Sequence, residues 1–147
     1  AAPRARLRLV TLTLDTNVFI EIVRNKSKSV RERFYESLAA ETHMVASLVV
    51  VHELHVGCEF HHDPAAELTR VRFAMSQIEI EPFEEADMTA AAKLSARLIK
   101  RGQTIGPYDL LIAGQALARD WTVVTANTRE FARIDGLNVI DWTAPAA

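Results

Sequence analysis

Four residues able to carry chemistry stand out because each interrupts the pattern around it. Asp15 ends the apolar run from Arg8 to Leu14, where helix-starting residues begin. Glu53 has Val49, Val50, Val56 and Gly57 as helical neighbours, so it faces where apolar residues face. Asp109 lies among Ile105, Gly106, Ile112 and Ala113, in the first turn of a predicted helix whose macrodipole favours the ionised form. Asn127, like Asp15, directly follows a predicted strand. A buried charge is normally paired or bound to metal. Three carboxylates and an amide oxygen converging on one cleft, with no paired cysteines, suit a hard divalent cation, Mg²⁺ or Mn²⁺. Such an ion activates water and neutralises phosphate, which makes phosphodiester hydrolysis the natural reaction class.

Plainer roles exist for the same residues. Asp15 is placed to cap the helix carrying Val18, Phe19, Ile22 and Val23. Glu53 and Asp109 could each be held by a nearby Arg. Asn127-Thr128-Arg129-Glu130 spells a capping box, amide at the N-cap and Glu at N3, so Glu130 is a cap partner, a metal or water ligand, or both. Arg129 and Arg133 lie near the same edge, where they could hold phosphate or simply be solvated.

The elements that must position these side chains alternate between strand and helix. Val10, Leu12 and Leu14 alternate with Thr11 and Thr13 and, with Leu7 and Leu9, read as a buried strand. Asn25 to Ser29 is a polar loop, and Val30, Phe34 and Leu38 recur at helical spacing. His43 to Leu48 reads as a second strand, with Ser47 placed to cap the helix that carries Glu53. Asp63-Pro64 opens a helix with the stripe Leu68, Val71, Met75 and Ile78, and Ile78 to Phe83 reads as a third strand.

Glu84 and Glu85 start a helix whose predicted core face is Met88, Ala91, Ala92, Ser95, Leu98 and Ile99, ending at Lys100-Arg101-Gly102. Gly106-Pro107 starts the helix of Asp109, in which Ala113, Gly114 and Ala118 allow close packing. Thr122 to Thr125 reads as a strand, TREFARI as a short helix and Leu137 to Trp142 as the last strand. This alternation predicts an α/β fold with a mostly parallel sheet and helices on both faces. Ligands of such sheets gather beyond the carboxyl ends of the strands, where Asp15 and Asn127 fall.

The 147 residues suit one domain, 1–147, with its own core. A formal net charge of -2 argues against a protein coated with basic residues. Yet residues 1–33 hold eight of the seventeen Lys and Arg, including Arg4, Arg6, Arg8, Arg24, Lys26 and Lys28, a local basic surface able to engage phosphates. The single cysteine, Cys58, excludes an internal disulfide framework and fits a reducing, cytoplasmic setting. No apolar run approaches the ~18 residues of a membrane-spanning helix. The opening AAPRARLRLV, too short in its apolar part for a leader, reads as the first strand.

A rival metal site lies in His52, His55, Cys58, His61 and His62. Successive steps of three precess around a helix, so these zinc-type ligands could converge only through a break near Gly57. His52-Glu53-Leu54-His55 also lacks the spacing of the two-His metalloprotease helix. A second rival is a non-catalytic module whose acids only hold structure while it binds a partner or DNA.

Four stretches together resemble the PIN-domain ribonucleases: Leu14-Asp15-Thr16-Asn17-Val18-Phe19-Ile20, the Glu53 helix, Arg101 to Asp109 (RGQTIGPYD) with Ile112-Ala113, and Val124 to Phe131 (VTANTREF). Their order and spacing, with Val139-Ile140-Asp141-Trp142, are more closely similar to the VapC toxins of bacterial toxin and antitoxin pairs. The resemblance implies a five-stranded parallel sheet, Mg²⁺ or Mn²⁺ dependence, cleavage of RNA such as tRNA, homodimerisation, and neutralisation by a VapB antitoxin. By position, Asp15, Glu53 and Asp109 match the family's metal-holding acids and Asn127 its fourth position, often Asp, with Glu130 contributing. Thr16, Asn17 and Thr125 look like residues that orient the carboxylates. Asn at position 127 favours one tightly held ion over two. Arg24, Lys26 and Lys28 are expected to track the RNA backbone.

Overall fold

In the computed structural model, which describes residues 10–144, five strands form one parallel sheet ordered β3-β2-β1-β4-β5. They are β1 (Thr11–Leu14), β2 (His43–Ser47), β3 (Glu79–Glu81), β4 (Thr122–Val124) and β5 (Asn138–Ile140). The basic residues Arg4, Arg6 and Arg8 and the expected start of the first strand lie outside the described residues. Helices α1 (Thr16–Arg24), α2 (Lys28–Ala39), α3 (Leu48–Glu59) and α4 (Pro64–Met75) precede or flank β3. α5 (Glu85–Lys100), α6 (Pro107–Arg119) and the short α7 (Thr128–Phe131) follow it.

β1 is the middle strand, pairing Leu12 with Met44 of β2 and with Thr122 of β4. All four of its residues are buried, as a strand covered on both faces requires. Leu12, Leu14, Met44, Ala46 and Val124 join residues of α1 to α4 in one core. Val123 points the other way, into a second core with Leu94, Leu98, Ala113, Ala116 and Phe131. The chain therefore winds outward from β1 in both directions, and the strand order reverses between β1 and β4. A crevice at that switch point is where open α/β sheets bind ligands.

Local sequence explains most helix starts. Ser27 accepts from Val30 N–H, Ser47 from Val49 N–H and Asp63 from Ala66 N–H, each side chain satisfying an otherwise orphaned donor. α5 ends on Gly102 at φ 65°, with Gln103 N–H reaching Leu98 O at 2.9 Å.

Tertiary packing overrides the expectation for the core face of α5. Asp87, Ala91, Leu94 and Leu98 are buried, while Met88 and Ile99 stand 49% and 62% exposed. The stripe is narrow because α5 lies so close on α6 that a Cβ at Gly114 would sit 2.6 Å from Ala91 Cα. The predicted strands 78–83 and 137–142 and the TREFARI helix are also shorter than expected. Edge strands pair on one side only, and α7 stops before the turn that holds Gly136 at φ 81°.

Candidate active site

Asp15 follows the last residue of β1 and is 2% exposed. Its Oδ1 accepts from Thr16 N–H at 2.7 Å and its Oδ2 from the Thr125 hydroxyl at 2.8 Å, while its own N–H donates to Val124 O. The cap and the site are thus one carboxylate with two tasks. Thr16 Oγ1 donates to Glu53 Oε1 at 2.8 Å, tying α3 to the start of α1. On the other side the Thr125 hydroxyl accepts from Asn127 N–H at 2.9 Å. Asn127 Nδ2 donates to Glu130 Oε2 at 2.9 Å and to Asp109 Oδ2 at 3.3 Å. Asp15, Glu53, Asp109, Asn127 and Glu130 therefore belong to one continuous network running through Thr16 and Thr125.

The network carries surplus negative charge. Among the described residues no ion pair involves Asp15, Glu53, Asp109 or Glu130. Burial pushes the Asp15 carboxyl up, against the hydrogen bonds from Thr125 and Thr16. Burial and the Asp15 charge likewise raise Glu53, opposed by Thr16 and His52. Asp109 is pushed up to about 7 by burial, by the Asp15 charge and by a hydrogen bond shared with Glu130. A set of hard oxygen donors lacking a basic partner fits a divalent cation.

Among the described residues no three His, Cys, Asp or Glu side chains stand close enough to clasp a bare ion. The donor set suits a hydrated Mg²⁺, which keeps several waters and binds through one or two carboxylates.

Residues 12–137 match the PIN domain family. A curated relative from Shigella flexneri, a tRNA(fMet)-specific endonuclease VapC, is 36% identical over 92% of this chain and all of its own length. The chain belongs to the PIN-domain family. Within it, the similarity is to VapC proteins. In the crystal structure of DNA-bound VapBC from Salmonella typhimurium, the matching chain is 34% identical, with a TM-score of 0.83 over 90% of this chain and 98% of its own. VapBC2 from Rickettsia felis, bound to a promoter DNA fragment, gives 0.85 at 28% identity, over 90% of this chain and 99% of its own.

Several expectations for this PIN-domain site need correction. Asn127 turns its amide nitrogen, not its oxygen, toward the acids, because ionised carboxylates only accept. For the same reason the capping box does not form, and the Asn127 side chain makes no cap bond to α7. Glu53 is not flush with the core. The buried stripe of α3 is Val50, Leu54 and Cys58, while Val56 is 43% exposed, so Glu53 lies on the flank where Thr16 reaches it. Among the described residues no Arg forms an ion pair with Glu53 or Asp109. Asn17 is exposed and, among the described residues, makes no hydrogen bond to any of the acids.

The zinc reading fails on geometry. α3 runs unbroken past Gly57, His52 meets the Tyr108 hydroxyl, and His61 lies beside Glu67. Cys58 is buried, and burial raises its thiol, disfavouring the thiolate that zinc needs.

Of the basic candidates, Arg24 lines a crevice of about 40 Å³ that also borders Glu53. Lys26 and Arg129 are exposed, and Lys28 is drawn to Glu32 at 3.6 Å. Arg133 is taken up by Thr104 O at 3.1 Å, which pins the loop before α6.

The raised carboxyls make a stability prediction for the PIN domain without metal. Their folded values lie above the unfolded ones, so the native state holds more protons, and stability present at low pH is lost as pH rises from about 4 through about 7. In EDTA the melting temperature is expected to be higher at pH 5 than at pH 8, and Asp109→Asn to flatten that difference. A thermal series in EDTA checks it; a parent curve that climbs from pH 5 to pH 8 contradicts it.

Proposed function

We propose that this chain, acting over 1–147 as a single PIN domain, is a Mg²⁺- or Mn²⁺-dependent endoribonuclease. Its substrate is structured cellular RNA, with tRNA the first choice, and cleavage inhibits translation. One observation carries the reading: four linked carboxylates, none of them in an ion pair among the described residues, at the switch point of a parallel sheet. The tRNA preference leans on the Shigella and Salmonella relatives, both named tRNA(fMet)-specific endonucleases. The partner proposed is a VapB-type antitoxin that neutralises it, by analogy with the VapBC complexes, and a toxin homodimer is proposed from the family resemblance. The setting proposed is cytoplasmic, where such RNA is found; no helix among the described residues is long and apolar enough to cross a membrane.

Asp15, Glu53 and Asp109 would hold the ion, directly or through water. When bound, the ion supplies a water of lowered pKa and screens the scissile phosphate. Glu53, less buried than Asp15 and raised above the ordinary carboxylate value by burial, accepts the proton of the attacking water. Thr16 and Thr125 fix the Asp15 and Glu53 carboxylates against rotation. Asn127 holds Asp109 and Glu130 in register. Exposed Arg24, Lys26 and Arg129 track the phosphate backbone, which makes binding weaken as salt rises.

The test is cleavage mapping on total cellular RNA with purified protein in Mg²⁺, Mn²⁺, Zn²⁺ or EDTA. Discrete cuts in Mg²⁺ or Mn²⁺ that vanish in EDTA are expected. Binding of RNA or DNA without cleavage under any of these ions would favour the non-catalytic module and remove the nuclease reading.

A further inference from the structure

His52 and Tyr108 each immediately precede an acid of the network, Glu53 on α3 and Asp109 on α6. On a helix, consecutive side chains diverge by about 100° while their Cα atoms stay about 3.8 Å apart. A residue just before an inward-turned acid therefore lies on the rim of the same cleft. These two rims meet: the Tyr108 hydroxyl and His52 Nε2 share a 3.2 Å hydrogen bond that bridges α3 and α6. The rings lie 5.7 Å apart at 45°, so they do not stack face to face. Tyr108 remains 41% exposed and His52 is exposed. The pair is neither core nor a structural ion pair, and each of its members is the chain neighbour of an acid of the network.

From this arrangement we infer that His52 and Tyr108 form a stacking platform for an unpaired nucleobase of the RNA, beside the phosphate to be cut. The inference rests on the ribonuclease reading. Single-stranded and loop RNA presents splayed bases that stack on Tyr and His rings. Such stacking tolerates any base, and because the Tyr108 ring neutralises no phosphate it leaves the salt slope of binding to the basic residues. The Tyr108–His52 hydrogen bond fixes the ring angle before the base arrives, lowering the entropy lost on binding. Tyr108 would then contribute to selecting cut sites in loops, since a paired base cannot reach the ring.

The experiment uses the full chain in Mg²⁺ and an RNA oligonucleotide spanning a mapped cut site, with 2-aminopurine beside the scissile phosphate. Stacking acts equally on ground and transition states, so Tyr108→Ala is expected to raise KM about 5- to 150-fold with kcat within about 2-fold. The 2-aminopurine quench should be lost, while the salt slope of kcat/KM stays that of the parent. Tyr108→Phe keeps the ring but loses the hydrogen bond to His52, so its KM should rise by less than that of Tyr108→Ala while the quench persists. Tyr108→Trp, which restores a larger ring, covers the case in which the alanine variant folds poorly and should preserve the quench.

Unchanged KM and quench in folded Tyr108→Ala and His52→Ala would overturn the platform while leaving the nuclease intact. A kcat loss in Tyr108→Phe at unchanged KM would also overturn it, assigning the hydroxyl to the reaction. A parent protein that cuts no RNA in Mg²⁺ or Mn²⁺ removes the nuclease reading and the platform with it.

Discussion

Asp109→Asn is expected to lower RNA cleavage by about 10³-fold or more while leaving the protein as stable as the parent, or more so. The rate effect follows if the ion contributes several kcal/mol to the transition state, each 1.36 kcal/mol being tenfold. The stability effect has a separate cause. Asp109 shares a partly buried space with Asp15, Glu53 and Glu130, and its carboxyl is pushed up to about 7. An amide there removes charge repulsion, the trade expected where a functional site stores strain. Asp15→Asn should cost as much activity with less gain in stability, because Asp15 also caps α1 and accepts from Thr125. Single-turnover cleavage and urea denaturation on the same preparations check both halves. Cleavage surviving in the Asp15→Asn, Asp109→Asn double variant would take the active-site assignment down.

Arg119→Ala is expected to destabilise the fold by about 3–5 kcal/mol, the usual cost of stranding a buried carboxylate. Asp87 is 1% exposed and receives a forked pair of hydrogen bonds from Arg119, 3.1 Å from Nε and 2.8 Å from Nη2. The same guanidinium reaches Glu81 at 3.1 Å and Pro82 O at 2.9 Å, and lies 5.0 Å from the Trp121 ring centroid. Burial pushes Asp87 up, but the bonds from Arg119, Glu84 N–H and Gln115 outweigh it, so its carboxyl sits below the usual range. Stability from this pair is therefore present above pH ~4 and lost as pH falls through that lowered value, opposite in sign to the active-site acids. Arg119→Lys should not restore it, because an ammonium cannot supply the fork. Urea midpoints for Arg119→Ala, Arg119→Lys and the paired Arg119→Met, Asp87→Leu variant decide the matter. Equal midpoints for parent and Arg119→Ala would refute the clamp.

The clamp bears on the site through α6. Arg119 sits at the carboxyl end of the helix whose first turn carries Asp109, and it fastens that helix to the segment between β3 and α5. Loss of Arg119 is accordingly expected to cost cleavage mainly through the unfolded fraction.

The alternation of short apolar runs with helical stripes, the caps at Ser47 and Asp63 and the stop at Gly102 were legible because each is written within a few neighbouring residues. So were Asp15, Glu53, Asp109 and Asn127, since an acid or amide out of place in its own pattern can be seen without knowing what it meets. Periodicity ranks the faces of one element, but it does not say which residues of two elements touch. The Thr125 hydroxyl reaches a carboxylate 110 positions earlier, and Arg119 reaches one 32 positions earlier. Folding also decided the turned amide of Asn127, the flank position of Glu53, the narrow face of α5 and the meeting of His52 with Tyr108. Each of these depends on distances between separately specified segments, which only the packing of helices on the sheet sets.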